Sequence, residues 1–265
     1  MVLTRSFVRA KRPCTDGFRW FVRQFDEGGN YQELLDTMVA AGRVGDACWL
    51  LEQFGPTGEV RVVDEIEADA LVFAGTLQVR GNVDVEGKLH VGGDLRVEGG
   101  LRTSGDLIVG GNLRVEGQVR AGGRVAVDGD LRAGWGVESA GDLRCGGELR
   151  AGWNLHCAGR LRLEGSAFVG IDLCSEGDLR CAKGLQVGGD PGHGEGDERH
   201  SDDRRDPHGH DRPVVVVAGQ GQKCVVVLDP FLQKQVYHIA AQRFPFLVQG
   251  LQCGVIQRER QQIDR

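Results

Sequence analysis

From Leu77 to Leu185 the chain alternates apolar or small side chains with mostly polar ones, and a glycine breaks the alternation every six residues. Counting in sixes from Gly75 to Gly189 gives twenty positions, all glycine except Trp135, Trp153, Ile171 and Lys183. Two residues after each of the first nineteen stands Leu or Val, with Ala167 the one departure. Two further on comes Val, Ala, Thr, Ser, Cys or Leu. A period of two predicts strands whose successive side chains point to opposite faces.

A longer period lies over the six. Cut every eighteen residues from Leu95, the chain reads LRVEGGLRTSGDLIVGGN, LRVEGQVRAGGRVAVDGD, LRAGWGVESAGDLRCGGE. Three strands per turn predict a mainly β fold, a triangular single-stranded β-solenoid with about 18 residues per coil and coils stacked about 4.8 Å apart. Glycine belongs at the corners, where the chain needs positive φ or backbones come close.

The G-x-[LV]-x-[VA]-x-G-x-[LV] texture of residues 75–189, uninterrupted by loops, resembles the bactofilins, polymer-forming cytoskeletal β-helices. That resemblance implies a scaffold that polymerises. The period of six is also similar to that of the left-handed hexapeptide-repeat proteins, but their motif wants a small or acidic residue directly after the aliphatic one. Here Gln, Arg, Asp or His holds that place in most hexads.

Residues eighteen apart stack on one face, so outward columns can be read directly. Arg96, Arg114, Arg132 and Arg150 form one such column, beside Asp94, Asn112, Asp130 and Glu148. Like charges this close repel, so the acids are expected to interleave with the guanidinium groups. The column reads either as a salt-bridged wall or as a lattice for a regularly spaced partner. Arg144, Arg162 and Arg180 form a second column with the same two readings. Trp135 and Trp153 replace corner glycines one coil apart, and Ile171 continues their column. Pointing inward they would fill a wider part of the prism; pointing outward they would form an apolar contact strip. The candidate interaction surface is therefore Arg96, Arg114, Arg132, Arg150, Trp135 and Trp153. Cys145, Cys157 and Cys181 read as small core residues. His90 and His156 fall on outward phases of different faces and read as surface residues. No catalytic, cofactor-binding or metal site is assigned.

Residues 1–56 differ in character and predict a small helical cap domain. Three short helices are expected over CTDGFRWFVRQF, YQELLDTMVAAG and VGDACWLLEQFG, with Phe18, Phe21, Leu34, Leu35, Met38, Trp49, Leu50 and Phe54 as their core. Asn30 and Glu33 have capping-box spacing, and the module is expected to cover the open strand edge of the first coil. The solenoid is placed at 57–189. Residues 190–212, charged and histidine-rich, read as a disordered linker. Residues 213–265 lack the period and are left as a tail of uncertain structure, such as a reading-frame slip near codon 190 would produce.

The 265 residues carry a net charge of −6. Residues 57–189 hold 15 basic and 20 acidic groups, a poor electrostatic partner for nucleic acid. The N-terminal MVLTRSFVRAKRPC lacks the apolar core of a signal, and no run approaches a membrane span, so a cytoplasmic protein is expected. Eight cysteines without a C-x-x-C pair fit reduced thiols. The expected function is a non-enzymatic scaffold without cofactor, associating with itself or another protein. A hexapeptide-repeat acyltransferase and an acidic DNA-mimic inhibitor are the alternatives, and the interleaved arginines weigh against the mimic.

Overall fold

Each hexad folds as a three-residue strand followed by a corner, and three strands close one turn. The computed structural model describes residues 2–25, 28–188, 214–219 and 222–227. A two-stranded ribbon, β1 (Val2–Leu3) with β2 (Gly29–Asn30), and four helices precede the solenoid. The helices are α1 (Arg5–Ala10), α2 (Thr15–Gln24), α3 (Tyr31–Ala40) and α4 (Val44–Phe54). The solenoid begins with β3 (Val60–Val63), β4 (Ile66–Ala68) and β5 (Leu71–Phe73), which start its first, second and third faces. It ends with β22 (Leu173–Ser175), β23 (Leu179–Cys181) and β24 (Leu185–Val187) on the second, third and first faces. This is a mainly β solenoid of about seven turns with about 18 residues per turn.

Parallel register carries the period of eighteen. Leu95, Leu113, Leu131 and Leu149 are successive partners on the first face, and all are buried. The first coil is shorter: Val60 pairs with Thr76 and Ile66 with Val83, and the offset reaches eighteen only at Leu71 with Leu89. The lattice therefore becomes legible at Gly75 and not before. Inward Val, Leu, Ala and Cys fill one continuous apolar core from Phe73 to Leu185. The inward hydroxyls and thiols return their protons to the coil before. Thr103 Oγ1 donates to Gly87 O at 2.5 Å, Ser139 Oγ to Gly123 O at 3.1 Å and Cys157 Sγ to Gly141 O at 3.3 Å.

The corner glycines answer one of the two needs expected of them. Among the described residues, positive φ at glycine is confined to Gly28, Gly42, Gly55 and Gly188, so the corners from Gly75 to Gly177 do not use it. Close approach is the reason: a Cβ on Gly105 would stand 2.7 Å from Gly87 O, and one on Gly87 2.6 Å from Asp69 O. Each corner has two turn residues, and from Ala74–Gly75 to Glu176–Gly177 at least one of the pair is glycine. Where Trp135, Trp153 and Ile171 take the second place, Gly134, Gly152 and Gly170 take the first.

The N-terminal module has four helices where three were expected. The additional one, α1, is capped by Thr4, whose hydroxyl accepts from Phe7 N. Asn30 caps α3 through Gln32 N at 2.9 Å. Phe21, Leu34, Leu35, Met38 and Leu50 are buried, while Phe18, Trp49 and Phe54 pack around them half-buried. Solenoid residues Val72 and Ala74 complete this second core. The helices thus dock on the outer side of the third face at its first coils. No helix among the described residues is long and apolar enough to cross a membrane.

Beyond the solenoid, Val214–Gly219 (β25) and Gln222–Val227 (β26) form an antiparallel hairpin, and β26 pairs with β22. The expected linker 190–212 and the rest of the tail lie outside the described residues.

Candidate interaction surface

The arginine column is in register: Arg96, Arg114, Arg132 and Arg150 are successive partners on the first face. Phe168 follows one coil further, and the Arg150 guanidinium lies 5.2 Å from its ring centroid. Acids in the same coil hold the arginines, Glu116 on Arg114 at 2.8 Å, Asp130 near Arg132 at 4.0 Å and Glu148 on Arg150. All are half-exposed pairs, worth about 0–1 kcal/mol each.

The neighbouring acids do a second job that the expectation of charge interleaving missed. Asp94 Oδ1 accepts from Asn112 N at 2.7 Å, Asn112 Oδ1 from Asp130 N at 2.9 Å, and Asp130 Oδ1 from Glu148 N at 2.8 Å. The same bond recurs on another corner, where Asp142 Oδ1 accepts from Arg160 N at 2.8 Å. Asp142 also takes the Arg160 guanidinium, and these hydrogen bonds hold its carboxyl below the ordinary range. The column of short acids and amides thus stitches successive coils through corner N–H groups that the strand ladder does not reach.

Trp135 and Trp153 point outward, 54% and 55% exposed, so they fill no wide part of the core. Their rings stack at 5.5 Å between centroids and 7° between planes, and Ile171 extends the strip at 55% exposure. Both places of a corner pair lie close to the coil before: a Cβ on Gly134 would meet Glu116 O, and one on Gly105 would meet Gly87 O. Gly134, Gly136, Gly152 and Gly170 leave the indoles standing on nearly bare backbone. The strip runs along the corner between the first and second faces, opposite the face that carries the helices.

The third face corrects the reading of His90. Its column runs Val72, His90, Ile108, Ala126, Arg144, Arg162 and Arg180. The helices cover the apolar start of that column, so Val72 is buried and His90 is only 6% exposed. His90 Nδ1 has no hydrogen-bond partner. Burial, with Lys88 and Arg124 nearby and Asp128 opposing them, pushes its pKa down to about 4. His156 stands on the second face, half-exposed, 4.0 Å from Glu176. Sequence reasoning also missed Gln32. Buried beneath β5, it donates from Nε2 to Val72 O at 3.0 Å and accepts at Oε1 from Ala74 N at 2.9 Å. These are the two groups that a strand below β5 would have paired, so one side-chain amide stands in for a peptide unit. Cys145 and Cys157 are buried in the core, and burial raises the Cys145 thiol to about 11, a packing thiol and not a nucleophile. Among the described residues no cluster of three or more metal-ligating side chains occurs.

Comparison with known proteins divides the chain at the same place as its architecture. Residues 1–54 match the family model of the YdhT N-terminal domain. No curated protein and no solved structure matches the chain.

Proposed function

We propose that this chain is a non-enzymatic cytoplasmic scaffold, bactofilin-like in character, that assembles through its solenoid. The observation that carries the reading is the state of the solenoid's first coil. β3, β4 and β5 each end a sheet, and the helical module satisfies the outer edge of β5 alone, through Gln32. Among the described residues β3 and β4 keep strand edges, with Val60 and Val62 of β3 58% and 51% exposed, and an open parallel edge templates further strands. The continuous core and the ion-paired wall support the reading of a rigid rod. An uninterrupted ladder gives no loop that reaches a neighbouring active site, as the acyltransferase alternative would want.

Sedimentation velocity and negative-stain microscopy of the full chain test this. Concentration-dependent stacking is expected, and Ile66→Lys, a charge at the half-buried open end, should suppress it while circular dichroism stays unchanged. A monomer at every concentration, or stacking indifferent to Ile66→Lys, would remove the reading.

A further inference from the structure

We infer that the Trp135–Trp153–Ile171 strip is a side-by-side contact between copies of this chain, with neighbouring rods parallel and the strips meeting at a common axis. The inference deepens the assembly reading, adding a lateral contact to the axial one. Among the described residues the exposed large apolar side chains are Val2, Phe7, Val60, Val62 and these three, and only these three form a row on the prism wall. The row is rigid, because the indoles are stacked and carried on the coil lattice. Each indole turns one face to the other, so the strip presents mainly ring edges and the Ile171 side chain to the side. An acidic solenoid disfavours a nucleic acid or an anionic membrane.

A second copy meets no such objection. The helices occupy the opposite face, so two rods can bring these corners together without collision. Charge selects the direction. Antiparallel rods would set Arg132 and Arg150 beside the same column of the neighbour. Parallel rods set them beside the second face, whose column there holds Glu138, paired with Arg120, and His156 in place of a second arginine ladder. A parallel rotation axis also makes the patch self-complementary. With ~250 Å² for a whole tryptophan, the strip offers on the order of 350 Å² per copy. That is under half of the ~800 Å² per partner of a standard interface, so the contact is weak for isolated copies and strengthens when rods are long.

Cross-linking tests this on the full chain, with Cys14→Ser to remove an exposed thiol. Glu116→Cys, one coil from Trp135 on the same corner, would lie beside its own counterpart only in parallel rods. Oxidised glutathione should convert it to covalent dimers, and adding Trp153→Glu should lower their yield about tenfold or more. Trp153→Glu should leave axial stacking intact, whereas Ile66→Lys should abolish stacking and lower the cross-link yield without removing it. Failure of Glu116→Cys to cross-link, a yield insensitive to Trp153→Glu, or a monomer in which both indoles already resist acrylamide quenching would overturn the proposal. The last result would mean the chain's own tail covers the strip.

Discussion

A single residue in this prism is judged by its phase in the repeat. Leu131 is fully buried between Leu113 and Leu149, whereas Arg132, one place on, is half-exposed. Leu131→Asp puts a carboxylate into a dry core and should cost several kcal/mol, on the scale of an unpaired buried charge. Arg132→Asp should cost about 1 kcal/mol or less. Urea midpoints compare them, and equal losses would mean inside and outside have been exchanged. Corner residues follow a different rule, since Gly134 faces the Glu116 carbonyl while Gly42, at φ +71°, has open space around it. Gly134→Ala should therefore lower the thermal midpoint through a backbone collision, and pairing it with Trp135→Gly should restore part of the loss by returning the corner to the commoner pattern. The alternation that separates Leu131 from Arg132 was legible in the sequence because period two is a property of every strand. The direction of Trp135 was not, because a two-residue corner has no alternation to read.

At the level of elements, the helical module shows what periodicity conceals. His90 sits on an outward phase and so reads as surface, yet the docked helices bury it together with Val72 one coil before. A trace of this was present, since their column opens with Val72, His90, Ile108 and Ala126 before any arginine, while the first-face column turns to arginine at Arg96. Two predictions follow from the docking. Gln32→Ala leaves Val72 O and Ala74 N buried without partners and should cost about 1–3 kcal/mol, seen as faster amide exchange across β5 and β8 (Leu89–Val91) before the central coils respond. His90 makes the docking sensitive to acid. Its folded pKa lies below the ordinary value of 6.5, so the unfolded chain binds the proton first as pH falls. Stability is full above about pH 6.5 and declines toward pH 4, by up to about 3 kcal/mol from this group. Denaturation of the wild type and His90→Leu across that window should show a flatter profile for the variant; parallel profiles would mean that the proton is accommodated elsewhere.

For the whole molecule, the fold was written in three nested periods of two, six and eighteen, while the contacts that give it ends and an orientation were not. Gln32 caps β5 across forty residues of sequence, Gln32 to Val72, through one amide that no local pattern announces. Because each coil touches only its neighbours, stability should grow with the number of coils, and the Gln32 and Leu131 lesions should add nearly independently in a double variant. The lattice also turns chain length into an angle. Removing eighteen residues between Leu95 and Gly129 would draw the tryptophans about 4.8 Å closer to the helices and leave them on the same corner. Removing six would swing every later column by a third of a revolution, carrying the indoles to a different corner, beside the face where the helices lie. Insertions and deletions in such a repeat therefore act as the setting of a dial: the count of hexads before Trp135 fixes the compass bearing between module and strip, and a lineage could re-aim one against the other without altering a single contact within a coil.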